Sequence, residues 1–402
     1  MSTQTPIPPA PPQTGSRRPR RRWWLLALAV PLLLVVIVMV PFAIQWIIMQ
    51  RGPTTTTDCV KAADPTHSGA VTEYCLSTRT QPPHAMTVGP DGNLWFTDSF
   101  NSKLVRVTPQ GVITQFSVPA RPVGDSAVPG IARGADGNLW YIAEGKLGRV
   151  SPQGATGTVA LPAGVVVTSL TAGPDGNLWL SESRSTGSAA AKTSDTIAKM
   201  TPAGEFTAYS LTPAGLTSAG GLIPGPDGNV WFVGTTAKSA AIGRITPAGV
   251  VTVFPVDIPL QTKVPGYPIC EPVDTGPCIG ASNIGGLVAG ADGNLWFVDG
   301  QGRIGRTTPS GVTTFFDTAS AWAPVIGAGP DGAVWYPTTS SPNGPILIGR
   351  ITPDGTITRF TLPHNGLVSQ ITAGPDGGVW FLLIAGGGNE PQSTQRIVRV
   401  TP

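Results

Sequence analysis

Apolar residues follow two different patterns along this chain. Between residues 23 and 49 they form one run without a charged residue. After residue 83 they come in short groups that are separated by glycine, proline, aspartate and threonine. A run of about 20 apolar residues is long enough to cross a bilayer as a helix, whereas short apolar groups between turn residues indicate β-strands. The pattern therefore predicts one transmembrane helix followed by an all-β domain.

The residues in front of the apolar run predict its orientation. Five arginines directly precede it, and the first 16 residues are rich in proline, threonine and glutamine. Basic residues beside a membrane helix stay on the cytoplasmic side. We therefore expect a single-pass plasma-membrane protein whose C-terminal domain is extracellular or periplasmic. The alternative is a cleaved signal peptide, although its apolar region would be unusually long.

A repeated phrase, Gly-Pro-Asp-Gly-Asn-Leu-Trp, organises the rest of the chain. Its tryptophan occurs seven times, 39 to 65 residues apart, as Trp95, Trp140, Trp179, Trp231, Trp296, Trp335 and Trp380. Repeats of this length with glycine and tryptophan signatures are typical of propeller blades. The Asp-Gly pair predicts a hairpin turn. A phrase of the Thr-Pro-x-Gly type, with serine in place of threonine in the second repeat, marks a second turn in the first six repeats. The sequence thus predicts a seven-bladed β-propeller with four antiparallel strands per blade and the tryptophans packed between blades.

The last repeat is incomplete, which suggests how the ring closes. The chain ends after the third strand of the seventh repeat, at residue 402. Residues 69–74, upstream of the first repeat, match the pattern of fourth strands such as residues 355–360. We expect this N-terminal strand to complete the seventh blade, since closure removes the exposed sheet edges of an open array.

These patterns together predict four segments. They are a disordered cytoplasmic tail (1–22), a signal-anchor helix (23–49), a juxtamembrane linker (50–68) and the propeller (69–402). Within the propeller, the connections after second and fourth strands lie on one face, here called the loop face, and the two short turns lie on the opposite turn face. The longest insertions fall on the loop face, at residues 183–196, 234–241, 255–285, 338–347 and 385–395. Variable loops on a rigid scaffold are the usual place for binding.

The distribution of charge limits the partners that the propeller can bind. The net charge of +3 comes from the arginine-rich tail, and residues 51–402 carry a net charge of −2. The propeller therefore has no basic field for nucleic acid.

All four cysteines, Cys59, Cys75, Cys270 and Cys278, follow the apolar run. An even number in an exported domain predicts disulfides. Three pairings are possible, and Cys59–Cys75 with Cys270–Cys278 closes two short loops. The cysteine spacing does not fit a zinc site.

The repeats resemble those of the streptogramin B lyases, also called virginiamycin B lyases. The resemblance covers residues 69–402 and rests on Gly-Pro-Asp-Gly-Asn-Leu-Trp-Phe, on Ile-Gly-Arg-Ile-Thr-Pro and on Pro-His-Ala at residues 83–85. Lyases of this family open a cyclic depsipeptide at its ester by elimination, with Mg²⁺ and without water. The resemblance implies an active site on the loop face near the central channel, with histidines from neighbouring blades and an acid at the end of a second strand. The reaction needs a base for the proton and a cation for the enolate.

Few positions of this chain keep that pattern. Of the seven positions at the start of a first strand, only His84 is a histidine. Of the seven positions three residues after a core tryptophan, only Asp98, Glu182 and Asp299 are acids. His84 and Asp98 are the one complete pair, at adjoining ends of paired strands, and would serve as base and metal ligand. Glu182 and Asp299 would add negative charge that attracts a cation.

Two further residues lie in loops near the same rim. Trp322 precedes the sixth blade and would offer an aromatic platform to a ligand, and His364 precedes the seventh blade and could reach the site. The family pattern needs a second histidine in a blade next to that of His84, and this chain has Ser369 and Pro129 at those positions.

The sequence therefore leaves two functions open. The first is a ligand-binding or sensing propeller that contacts an unknown small molecule or protein on its loop face. The second is a lyase-like, Mg²⁺-dependent carbon–oxygen lyase that uses His84 and Asp98. A lactonase-like hydrolase with bound Ca²⁺ would need several convergent acids and asparagines, and the rim has few. The lost histidine favours the binding module, and the cofactor stays open between Mg²⁺, Ca²⁺ and none.

Overall fold

A computed structural model gives the structure of the chain at residues 54–56, 60–61, 71–76, 85–99, 101–122, 130–185, 192–258, 284–299, 302–318, 325–339, 346–362, 366–385 and 394–402. The chain divides into two compact units, Met1–Thr54 and Thr55–Pro402. The second unit is the seven-bladed β-propeller that the repeats predict.

Short antiparallel strands make up almost all of the regular structure. Three of them precede the first blade: β1 (Thr54–Thr56), β2 (Val60–Lys61) and β3 (Val71–Cys75). Blade 1 consists of β4 (Met86–Val88), β5 (Leu94–Asp98), β6 (Lys103–Val107) and β7 (Ile113–Ser117). Blade 2 consists of β8 (Ile131–Arg133), β9 (Leu139–Ala143), β10 (Lys146–Val150) and β11 (Thr156–Ala160). Blade 3 consists of β12 (Val165–Ala172), β13 (Leu178–Ser185), β14 (Lys192–Met200) and β15 (Phe206–Ser210).

The remaining blades repeat this order. A 3₁₀ turn, Thr212–Ala214, leads into blade 4, which consists of β16 (Leu216–Pro224), β17 (Val230–Thr236), β18 (Ala240–Ile245) and β19 (Val251–Pro255). Blade 5 consists of β20 (Ile284–Ala289), β21 (Leu295–Asp299), β22 (Ile304–Thr307) and β23 (Thr313–Phe316). Blade 6 consists of β24 (Gly327–Ala328), β25 (Val334–Thr339), β26 (Ile346–Ile351) and β27 (Ile357–Thr361). Blade 7 begins with β28 (Gly366–Ala373), β29 (Val379–Ala385) and β30 (Thr394–Val400).

The N-terminal strand closes the ring, as the incomplete last repeat predicts. Strand β3 pairs with β30 in antiparallel register, from Val71 opposite Val400 to Cys75 opposite Arg396. Strand β2 adds to the outer edge of β3, and β1 adds to the outer edge of β7 in blade 1. The segment assigned to the linker from sequence therefore contains two short strands.

Each core tryptophan is held by the same local structure on the turn face. Its indole N–H donates to the aspartate of the Asp-Gly turn, four residues earlier, over 2.8–3.2 Å in all seven blades. A basic residue of the third strand forms an ion pair with the same aspartate, as Arg244 does with Asp227 at 3.4 Å. The tryptophans are at most 3% exposed, so the repeated phrase encodes packing between blades.

The aspartate of this turn is stabilised in its charged form. Burial raises the pKa of Asp227, but the hydrogen bonds from Trp231 and Asn229 outweigh burial, and the net pKa lies below the usual value. The first glycine of the phrase is required for space, because a Cβ at Gly225 would lie 2.0 Å from the Trp231 ring.

Two of the predicted loop-face insertions are shorter than the sequence suggests. Strand β17 continues to Thr236 and β18 begins at Ala240, so residues 234–241 form mainly a hairpin. Strands β13 and β14 likewise extend into residues 183–196. Threonine-rich segments favour strands, and Thr217 of β16 donates a 3.1 Å hydrogen bond to the Thr235 carbonyl on β17. Blades 3, 4 and 7 therefore carry long first and second strands.

Several predictions concern residues outside the structure described above. The apolar run at residues 23–49 is among them, and so are Cys59, Cys270 and Cys278. Within the described ranges, no helix is long and apolar enough to cross a membrane. The membrane anchor and the disulfides stay predictions from the sequence.

Candidate functional site

The loop-face ends of the second strands carry buried polar side chains. In the described part of the chain these include Thr97, Asp98, Ser99, Ser181, Glu182, Ser183, Asp299 and Thr338. Buried polar groups are costly unless they are hydrogen-bonded. Their concentration at the loop ends marks the rim around the central channel as the candidate site.

Asp98 shapes the turn that follows its own strand. It is the last residue of β5 and is 3% exposed. Both carboxylate oxygens accept hydrogen bonds from Asn101: Oδ1 from the backbone N–H at 3.1 Å and Oδ2 from Nδ2 at 2.8 Å. His84, its expected catalytic partner, lies outside the described residues, so their contact stays a prediction.

Asp299 forms a buried ion pair within its own hairpin. Its Oδ1 accepts a 2.8 Å hydrogen bond from the backbone N–H of Arg303, and its Oδ2 accepts one of 2.6 Å from Arg303 Nε. The Arg303 guanidinium also lies 4.7 Å from the centre of the Phe315 ring. This guanidinium offsets the negative charge that Asp299 would otherwise bring to the rim.

Glu182 lies where the strands of blade 3 become irregular. It is 2% exposed and belongs to β13. The pairing register shifts between Val167 and Ser169 on the β12 side, and between Glu182 and Arg184 on the β14 side. Such bulges redirect side chains and are common beside active sites. The strand pairing of blade 3 is therefore irregular on both sides of Glu182.

Hydroxyl groups surround this part of blade 3. Thr168 Oγ1 lies 2.7 Å from Ser181 Oγ, which is within hydrogen-bond distance. Ser169 Oγ accepts a 3.0 Å hydrogen bond from the backbone N–H of Leu222, a residue of blade 4. The cluster thus ties blade 3 to blade 4 at the loop face.

The structure places only some of the residues that the sequence singles out. Asp98 and Asp299 are the last residues of their second strands, and Glu182 lies three residues before the end of β13, so the three acids belong to different blades. His84, Trp322 and His364 lie outside the described residues, and Cys75 is the last residue of β3.

Sequence reasoning missed the partners of these acids. Asn101 follows Asp98 by three residues and Arg303 follows Asp299 by four, and both spacings are local turn signals that could have been noticed. The hydrogen bond between Ser169 and Leu222 of blade 4 had no such signal, because these two residues are 53 positions apart in the sequence.

Two of the three rim acids already have partners in their own turns, which makes them poor ligands for Mg²⁺. The oxygens of Asp98 accept hydrogen bonds from Asn101, and Asp299 is paired with a guanidinium. Among the residues that the structure describes, no three His, Cys, Asp or Glu side chains are grouped closely enough to hold a metal ion.

The fold and the repeats define a propeller of the lyase type, and comparison with known proteins agrees. The chain belongs to the virginiamycin B lyase family, whose profile matches residues 54–265 and 278–389. This confirms the resemblance seen in the repeats. No curated protein matches the chain significantly.

Solved structures of such lyases are similar in fold. A streptogramin B lyase is 26% identical, with a TM-score of 0.61, over 82% of this chain and 97% of that chain. Virginiamycin B lyase from Staphylococcus aureus is 25% identical, with a TM-score of 0.60, over 83% of this chain and all of that chain (100%). A catalytically inactive histidine-to-alanine variant of the S. aureus enzyme with quinupristin is 24% identical, with a TM-score of 0.58, over 83% of this chain and 99% of that chain.

Proposed function

We propose that this chain is a membrane-anchored, extracytoplasmic propeller that binds a ligand on its loop face and acts as a sensing or interaction module. The observation that carries the proposal is the engagement of the rim acids. Asp98 is bonded to Asn101, and Asp299 is paired with Arg303. Carboxylates held in this way support turns and are poorly placed to hold a metal ion against a substrate.

The anchor and the compartment are supported by the sequence. Residues 23–49 contain no charge and follow five arginines, which favours a helix with a cytoplasmic N-terminus. The ligand class is a small molecule or a protein, and the long loops of the loop face are the surface that would meet it.

The alternative function is a lyase-like carbon–oxygen elimination that uses His84 and Asp98. Family membership supports it, and a histidine-to-alanine variant of the related S. aureus enzyme is catalytically inactive. Elimination needs a base near the proton and a cation near the carbonyl in one pocket. This chain contains three histidines, His67, His84 and His364, and only His84 falls at a position where the repeat pattern predicts the start of a first strand.

A turnover assay separates the two functions. The full-length chain is incubated with quinupristin and Mg²⁺, and the linear product is detected by mass spectrometry, with the S. aureus lyase as the positive control. We expect no linear product from this chain. Turnover that disappears in His84→Ala would establish the lyase and refute the binding module. Turnover that survives His84→Ala would place the chemistry elsewhere on the rim, with Glu182→Gln as the next variant.

A further inference from the structure

An aromatic ring covers the core tryptophan in every blade except blade 2. The ring comes from the fourth strand, and the ring centroids are 4.9–5.8 Å apart. The pairs are Trp95–Phe116, Trp179–Tyr209, Trp231–Phe254, Trp296–Phe316, Trp335–Phe360 and Trp380–Tyr74. In blade 2 the register places Val159 at this position, opposite Leu147 as Tyr209 is opposite Ile197.

Without this ring, one turn glycine of the next blade lacks the contact that its equivalents make. The glycine of the Thr-Pro-x-Gly turn lies directly under the ring of the preceding blade. A Cβ at these glycines would come within 1.9–2.9 Å of that ring at Gly111, Gly154, Gly249, Gly311 and Gly355. Gly204, the equivalent glycine beside blade 2, has nothing within 4 Å of such a Cβ. The seam between blades 2 and 3 therefore lacks the ring-on-glycine contact found at the five other seams where this glycine is described.

The basic residue of blade 2 is also less engaged than its equivalents. The Arg149 side chain is 46% exposed, against 20–26% for the corresponding residues of the other blades. Arg306 donates a 2.7 Å hydrogen bond to the Pro353 carbonyl in the turn of the next blade. Within the described ranges, no hydrogen bond joins Arg149 to the corresponding turn at Pro202, and Arg350 and Arg399 likewise bond only to the aspartate of their own blade, so its greater exposure is what distinguishes Arg149.

A small cavity lies in this seam. It has a volume of about 10 Å³, and Asp136, Trp140, Met200 and Pro202 are among the residues that line it. Phe206 of blade 3 packs against the apolar cluster that contains Trp140 and Met200, beside this cavity. A cavity of this size holds one water at most, so the seam is under-packed and is not a pocket for a ring.

We infer that the outer part of the seam between blades 2 and 3, at the fourth strand and the turn beside it, opens more readily than the outer part of the other seams whose turn glycine is described. Regions with fewer packed contacts open at lower free energy than the rest of a fold. Strand β13 connects this seam to the candidate rim. Because side chains alternate along a strand, every second residue of β13 faces blade 2. Leu178 and Leu180 face blade 2, and Glu182 follows on the same side of β13. The cavity itself lies at the turn face, so opening would reach Glu182 only where it spreads along β13 to the loop face, a link that rests on the proposed ligand-binding role of the loop face.

Hydrogen exchange of the full-length chain tests this seam. In the wild-type protein, β11 and residues 201–205 should exchange about fivefold faster than their counterparts at the seam between blades 5 and 6, which are β23 and residues 352–356. Val159→Phe supplies the missing ring and should slow exchange at β11 about fivefold, since a stacked aromatic pair contributes at this level. Val159→Leu is a second variant with less risk of overpacking.

Phe316→Val is the matched control, because it creates in blade 5 the vacancy that blade 2 already has, and β23, like β11, is the outer strand of a four-stranded sheet. It should raise exchange of β23 to the level of β11. Equal exchange at all seams of the wild-type protein would overturn the inference, and so would unchanged exchange at β11 in both Val159 variants. Ligand binding is not measured here, so a failure of the proposed function would leave this result standing.

Discussion

The indole N–H of Trp231 donates a 2.8 Å hydrogen bond to Oδ1 of Asp227, four residues earlier in the chain. The same carboxylate accepts a hydrogen bond from Asn229 and forms an ion pair with Arg244. One aspartate thus fixes the turn, the tryptophan ring and the third strand. The tryptophan hydrogen bond and the ion pair recur in all seven blades, and the asparagine hydrogen bond recurs in five of them. The Asp-Gly-x-x-Trp phrase is therefore first a packing device, and its presence alone says little about chemistry.

Removing this aspartate should destabilise the propeller. Asp227→Ala leaves the buried indole N–H of Trp231 without its acceptor, which costs about 1–3 kcal/mol. Denaturant unfolding followed by tryptophan fluorescence measures the loss. Asp257→Ala is the control, because Asp257 is exposed in the loop after β19, and it should change the free energy of unfolding by less than about 0.5 kcal/mol. Equal losses in the two variants would contradict the packing role.

Tyr74 should be essential to ring closure. Its ring lies on the closing strand β3, stacks on Trp380 with centroids 5.6 Å apart and covers Gly111 of blade 1. Tyr74→Ala should cost about 3–5 kcal/mol, as for other large-to-small core changes. It should also speed hydrogen exchange of β30, the strand that β3 covers.

Tyr209→Ala separates closure from simple loss of a ring. Tyr209 stacks on Trp179 at 5.8 Å in blade 3, away from the closing strand. This variant should lose similar stability but leave exchange of β30 unchanged. Identical exchange of β30 in both variants would show that the Tyr74 side chain does not hold the closing strand in place.

The propeller fold and its closure by strand β3 could be predicted because the sequence signals for them are local. A tryptophan repeat, an Asp-Gly turn and a strand pattern at residues 69–74 each involve a few neighbouring residues. The rim could be predicted only in part. Asp98 and Asp299 were found by position, but their partners Asn101 and Arg303 decide what those acids can do.

The individual partners of residues in different blades were beyond sequence reasoning. Ser169 meets Leu222 only because blades 3 and 4 are adjacent in the ring. The sequence has Val159 where the other blades have an aromatic residue, but the consequence depends on Gly204 of the next blade, where an added Cβ would meet nothing within 4 Å. Long-range packing of this kind cannot be read from a repeat phrase.

Two buried tyrosines should make the propeller sensitive to alkali. Burial raises the pKa of Tyr141 and of Tyr336 from 10.0 to about 12. Between these values the unfolded chain binds fewer protons than the folded one, so stability is complete below pH 10 and falls as the pH rises towards 12. Absorbance of tyrosinate should show these two residues ionising last, together with unfolding.

Replacing each tyrosine by phenylalanine shows which of the two causes the loss of stability in alkali. Tyr141→Phe removes a 3.3 Å hydrogen bond to the Ala120 carbonyl and should cost about 1 kcal/mol. The Tyr336 hydroxyl has no hydrogen-bond partner in the described structure, so Tyr336→Phe should be neutral or stabilising. Each variant should reduce the loss of stability in alkali. An undiminished loss in both would assign it to other groups.

The cysteines should form two local disulfides in the exported protein. Val60 pairs with Tyr74 and Lys61 with Glu73, and Cys59 and Cys75 are the next residues in sequence on the two sides of this ladder. Mass mapping without reduction should find Cys59 linked to Cys75, and the remaining pair linked together. Loss of one bridge should cost about 2–4 kcal/mol. Four free thiols would refute the disulfides, whereas a Cys59–Cys270 link would refute only the local pairing.

The orientation in the membrane is the prediction with the widest consequences, because it decides which compartment supplies the ligand. Five arginines before residues 23–49 should hold the N-terminus in the cytoplasm. A chain with a different tag at each end reports this directly. Protease added to intact cells, or to spheroplasts where an outer membrane is present, should remove the C-terminal tag and spare the N-terminal tag until the membrane is permeabilised.

Replacing the five arginines by asparagine is the matched control, since it leaves the apolar run unchanged and removes the charge that retains the N-terminus. That variant should lose its uniform orientation, so that part of the C-terminal tag becomes protected. Complete protection of the C-terminal tag in the unmodified chain would refute an exported propeller and, with it, the disulfides. Absence of the N-terminal tag from the mature protein would instead establish a cleaved signal peptide, because the propeller would then be exported without a tether.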